Sequence, residues 1–228
     1  MNNYIVKNTM EFSFFMQIII LLIGISAQFI TVSKNKSILK NALFLENIVQ
    51  FIEAGFYLWF IYFYKKNIDK IDIAKYRYYD WFITTPTMIV SVITYFYYNN
   101  NINNESKKIM HNIIDFFKHD FRKIMELLFY NLNMLIVGYL QEINIIGIIS
   151  STLIGFTFFG LLFYKMFIYY VANNKENYMI FFLMLLLWSL YGVAAIFNYK
   201  FKNAAYNILD IFSKNFFGLF LAYLIYNN

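Results

Sequence analysis

The chain has 228 residues, 61% of them hydrophobic and 23% aromatic, with one proline and a formal net charge of +6. A soluble domain of this size cannot hide so much apolar surface, so the profile is that of a membrane protein. The lack of cysteine excludes disulfides, thiolate zinc sites and cysteine catalysis; His111 and His119 share one polar loop and make no metal site; and the lysine-rich loops suit lipid headgroups rather than a nucleic acid.

Residues 1–10 are polar, and no small-residue cleavage site follows a short apolar core, so no signal peptide is expected. Seven apolar stretches then have the length of spanning helices: residues 12–32, 42–64, 76–98, 124–140, 145–170, 178–198 and 204–226. The expected fold is therefore an all-α membrane protein, a seven-transmembrane helix bundle forming a single domain over residues 1–228. Only a short polar break at 141–144 divides the fourth stretch from the fifth. The connection 99–123 is the one sizeable loop. Residues 113–117, with Asp115 and Lys118, suggest a short interfacial helix, but a solvated loop is the expectation. With the N-terminus extracellular, ten lysines and arginines face the cytoplasm (Lys34, Lys36, Lys40, Lys107, Lys108, Lys118, Arg122, Lys123, Lys165, Lys175). Seven lie outside (Lys7, Lys65, Lys66, Lys70, Lys75, Lys200, Lys202), so the positive-inside rule favours that orientation.

Charges inside the spans carry the functional signal. In the last stretch Asp210 and Lys214 stand alone, four residues apart and so on one helical face. An ion pair that merely neutralises itself is one reading, and a lysine reaching the surface another, but Lys214 lies near mid-run, too deep to snorkel easily. A lysine amine in an apolar pocket is the group that forms a Schiff base with an aldehyde, and intramembrane charges are functional by default. In the third stretch Arg77, Asp80 and Thr84 share a face. Asp80 and Asp210 are then two acids available to one buried cation. Pro86 frees the carbonyl about four residues earlier, with Thr84 and Thr85 as the local donors.

The run Arg77-Tyr-Tyr-Asp80-Trp81-x-x-Thr84-Thr85-Pro86, joined to Asp210-x-x-x-Lys214, resembles the microbial rhodopsins. Trp188-Ser-Leu-Tyr191 is similar to that family's retinal-pocket aromatics, Met134-x-x-x-Gly138 to its helix-four pocket, and Tyr57 to its helix-two tyrosine. The resemblance implies all-trans retinal on Lys214, with Trp81, Thr85, Met134, Gly138, Trp188, Tyr191 and Tyr57 about it, Asp80 as primary counterion and proton acceptor, Asp210 as secondary counterion, and an extracellular N-terminus. Two departures stand out: Gly192 replaces a helix-six proline and Ala195 a bulky aromatic near the ring.

Eleven residues after Asp80, where outward pumps of the family carry an acidic proton donor, stands Ser91, which cannot act as an acid near neutral pH. The acids are instead Glu46 and Glu53 in the second stretch, two turns apart on one face. Ser13 and Gln17 in the first stretch and Asn215 beside Lys214 extend a polar seam; for Ser13 and Gln17, packing between helices is the competing reading. This seam resembles channelrhodopsins, and more narrowly the rhodopsins of giant algal viruses. It implies a light-gated cation channel, with Glu53 and Asn215 at a central gate and Glu46 nearer the cytoplasm. The alternative is an outward proton pump in which Glu46 or water replaces the donor. The outer loop 199–203 carries lysines and no acid, so the release carboxylates common in pumps are missing there. No cytoplasmic domain supports a sensor, and no enzyme is implied. The expected partners are retinal, the lipid bilayer and the transported cations or protons. A homo-oligomer, as dimer, trimer or pentamer, is compatible with these helices and expected.

Overall fold

The computed structural model describes residues 3–66, 73–102 and 110–227. Of the lysines used to orient the chain, Lys70, Lys107 and Lys108 lie outside the described residues. The described chain is helical almost throughout: α1 (Asn3–Gln28), α2 (Ser37–Lys66), α3 (Ala74–Ile102), α4 (Ile113–His119), α5 (Phe121–Glu142), α6 (Ile148–Met166), α7 (Tyr178–Ala195), α8 (Tyr199–Asp210) and α9 (Phe216–Tyr226). A π-turn, Phe167–Val171, continues α6. A second, Ile211–Asn215, joins α8 to α9 as one span and holds Lys214.

Among the described residues, six helical stretches are long and apolar enough to cross a membrane. The seventh span is α3, which falls short on composition because it carries Arg77, Asp80 and three consecutive asparagines at 99–101. Those charges are tolerated because α3 packs between α2 and α5, with Arg77, Asp80 and Thr84 buried. The large side chains facing outward, such as Phe15, Leu22, Phe129 and Leu153, are apolar and suit a lipid solvent. The chain is thus a multi-pass membrane protein with a seven-helix bundle.

Three expectations change. Residues 113–117 are not a loop: α4 forms because the Asn112 side chain accepts the Ile114 amide at 2.9 Å and Phe116 is fully buried against Tyr97 and Tyr170. Segment 199–203 is likewise helical, started by Asn198, whose side chain accepts the Phe201 amide at 3.1 Å. Thr84 and Thr85 donate to the carbonyls of Asp80 and Trp81, at 3.0 and 2.9 Å, a residue or two before the Phe82 carbonyl, to which Pro86 has no N–H to offer. The break at 141–144 holds: Asn144 takes φ 61° and the Ile145 amide reaches back to the Leu140 carbonyl at 2.9 Å, ending α5.

Lipid tails are as apolar as leucine, so close approach and polar links hold such helices together. Gly24 of α1 receives the Asn47 amide of α2, and Gly218 of α9 receives the Gln50 amide. On α5 and α6, Glu126 pairs with Lys165 at 2.9 Å and accepts the Tyr169 hydroxyl at 2.5 Å.

Candidate functional site

The Lys214 amine lies at the centre of the bundle, 2% exposed. Its Nζ donates to Asp80 Oδ2 at 2.7 Å and stands 3.1 Å from Glu53 Oε1 and 3.5 Å from Asp210 Oδ1. Three carboxyl groups from α2, α3 and α8 therefore surround one cation. The wide π-turn turns Lys214 inward from a helix that otherwise continues to α9; such turns are common at functional positions.

Asp210 is the most constrained of the three acids. Its Oδ2 accepts from Tyr57 at 2.6 Å and from Arg77 Nη1 at 3.3 Å, and its Oδ1 accepts from Tyr191 at 2.7 Å. Arg77 shares a helical face with Asp80 in sequence, yet its guanidinium turns to α8: Nε donates to Asn203 at 3.2 Å and Nη2 to Asn207. Tyr57, Phe60 and Tyr206 surround it with ring faces. Asn207 in turn donates to the Val6 carbonyl and to Thr9, tying α1 to the site. Asp80 has a lighter harness, and its Oδ1 lacks a hydrogen-bond partner among the described residues.

A cavity of about 900 Å³, its open mouth included, leads from Lys214 between α3, α5, α6 and α7. Trp81, Thr85, Met134, Gly138, Trp188 and Tyr191, all expected at the pocket, line it. Tyr57 does not line this cavity and serves Asp210 instead. Gly138 is required by the close approach of Tyr78, whose hydroxyl would lie 2.5 Å from an added Cβ. Gly192 makes room for the Phe156 ring, which a Cβ there would meet at 2.6 Å; the two departures from the family pattern, Gly192 and Ala195, both lie on the cavity wall. Thr85 and Asn131 exchange hydrogen bonds at 3.2 and 2.8 Å, linking α3 to α5 beneath it.

The seam on the other side of Lys214 is also buried. Ser13, Gln17, Glu46, Glu53, Ser91 and Asn215 are each at most 1% exposed. Gln17 donates to Ser13 at 3.2 Å, and Ser91 donates to the Ala42 carbonyl at 3.1 Å although it lies beside Glu46. Both carboxyl oxygens of Glu46 and both amide atoms of Asn215 lack a hydrogen-bond partner among the described residues. Glu46 does not reach the Lys214 cluster.

Sequence reasoning missed several members. Asn203, Asn207, Asp210 and Lys214 recur every three or four residues, a stripe that was readable once the last span was taken back to Tyr199. Gln50 lies between Glu46 and Glu53 on the same stripe of α2. Lys202, assigned to an outer loop, is buried and donates to both oxygens of Glu142 at 2.7 Å, so an acid does stand at that end of the bundle, contributed by α5.

None of the curated proteins matches this sequence. Among solved structures, the viral rhodopsin OLPVRII is similar at 29% identity and TM-score 0.82, over 97% of this chain and 98% of that one. Xanthorhodopsin, a light-driven ion pump with dual chromophore, is similar at 16% identity and TM-score 0.76, over 98% and 93%. Halorhodopsin, a light-driven chloride pump, is similar at 12% identity and TM-score 0.72, over 100% and 98%. The last two likenesses concern the fold alone. A family model described as bacteriorhodopsin-like protein matches residues 8–228, and the chain therefore belongs to that family, as a microbial rhodopsin close to the viral ones.

Proposed function

We propose that Lys214 binds all-trans retinal and that the chain is a light-gated cation channel with its N-terminus extracellular. The residues present fit the chromophore: an apolar, aromatic-walled cavity ends at one buried primary amine flanked by acids. When bound, retinal supplies a covalent link to that amine and a light-driven change of shape.

The protein's own groups then have distinct tasks. Asp210, fixed by Tyr57, Tyr191 and Arg77, balances charge without moving. Asp80 Oδ2 is within hydrogen-bond reach of the nitrogen, and its free Oδ1 leaves it able to take up a proton. Thr84, bonded to the Asp80 carbonyl, stiffens the turn that carries it. Glu53, with Asn215, Ser13 and Gln17, forms the central gate, and Glu46 with Ser91 the inner one.

The observation that carries the channel reading is the run of buried oxygens beyond the Lys214–Glu53 pair, namely Glu53 Oε2, Gln50 Oε1 and the Glu46 carboxyl, that lack a hydrogen-bond partner among the described residues. Buried polar groups are ordinarily satisfied, and exceptions call for water or an ion. Voltage-clamp photocurrents under swapped cation gradients test it: the current of a channel reverses with the gradient. The second reading is an outward proton pump. It is favoured by Glu46 beside Ser91, an acid from α2 at the position where α3 lacks one, and predicts a current that stays outward over ordinary voltages.

A further inference from the structure

Between Glu46 and Glu53 on α2 lies Gln50, 1% exposed, with its Oε1 lacking a hydrogen-bond partner among the described residues. Residues 46, 50 and 53 recur at helical spacing, so the three side chains form one stripe. The stripe faces α9 at Gly218: an added Cβ there would lie 2.5 Å from Gln50 Nε2 and 3.6 Å from Glu46 Cβ. The missing side chain at 218 is what lets the amide sit against the backbone of α9.

Along a helix, seven residues span about 10.5 Å, too far for two carboxyl groups to share one ion or one hydrogen-bonded proton directly. Gln50 divides that interval into steps of about 6 and 4.5 Å, each bridged by one water or one cation. An amide also suits the middle of such a path. Its oxygen coordinates a cation or accepts from water.

We propose that Gln50, seated in the Gly218 notch, is the relay between the central and inner acids, through which the conducted cation or proton passes. The proposal rests on the transport reading above and adds a residue and a notch to it. Gln50→Leu removes the oxygen while keeping the volume, Gln50→Glu keeps an oxygen at the same depth, and Gly218→Ala displaces the amide without altering it.

The test measures photocurrents and visible absorbance of the full chain, expressed with retinal, for all three variants. The expected result is a visible pigment in each and a current reduced roughly tenfold, the factor that about 1.4 kcal/mol represents, in Gln50→Leu and Gly218→Ala but not in Gln50→Glu. A wild-type current and reversal potential in Gln50→Leu overturns the proposal. Should Gln50→Leu fail to form pigment, Gly218→Ala decides on the same criterion. A wild-type current that never reverses with the gradient refutes the channel reading separately. In that case Gln50 is judged by the recovery of absorbance after a flash: recovery slowed roughly tenfold in Gln50→Leu supports the relay, and unchanged recovery overturns it.

Discussion

The carboxylate of Glu53 lies 3.1 Å from the amine of Lys214, nearly as close as Asp80 at 2.7 Å. Glu53 is therefore part of the charge cluster around the nitrogen as well as of the seam on α2. Around Lys214 and Arg77, two cations, stand three acids. Glu53→Gln removes one negative charge from the nitrogen and is expected to shift the visible band to the red as well as alter the photocurrent. An unchanged spectrum with an altered current would confine Glu53 to the gate.

Lys214→Ala is expected to abolish visible absorbance altogether when the protein is purified with retinal, because among the described residues no other amine lines the cavity. A persisting visible band would refute the attachment site.

Asp80→Asn is expected to give the larger red shift of the two acid substitutions, since Asp80 accepts the shortest contact that Nζ makes, in an aligned hydrogen bond. A negative charge at the nitrogen stabilises the ground state, where the positive charge is localised there, more than the excited state. Flash spectroscopy of the same variant should show slowed or lost deprotonation. A spectrum at neutral pH identical to the parent would transfer the counterion role to Asp210 or Glu53.

Glu142→Ala leaves the Lys202 ammonium buried and unpaired, and breaking a buried pair in this way costs about 3 to 5 kcal/mol. Thermal bleaching is the readout, with an expected fall in midpoint temperature. The double variant Glu142→Leu with Lys202→Met removes both charges and should recover most of the loss. If Glu142→Ala bleaches like the parent, the pair is solvated in the membrane and contributes nothing.

Much of this molecule was legible in the sequence because helical periodicity is a local property. Asp210 and Lys214 share a face by spacing alone, as do Glu46 and Glu53, and seven apolar runs of spanning length require a bundle whatever its packing. What spacing cannot state is which distant helix each face meets. Arg77 and Asp80 lie on one face of α3, yet Arg77 turns to Asp210 and Asp80 to Lys214, one turn further along the same span. Lys202 read as an outer-loop charge until α5 brought Glu142 against it, and Gln50 read as an ordinary polar residue until Gly218 opened the space beside it. The chain's composition and spacing thus determined the seven spans, the amine and the acids available to it. Only the packing of segments far apart in sequence decided how those charges pair, since without water a buried charge is balanced by what a neighbouring helix brings against it.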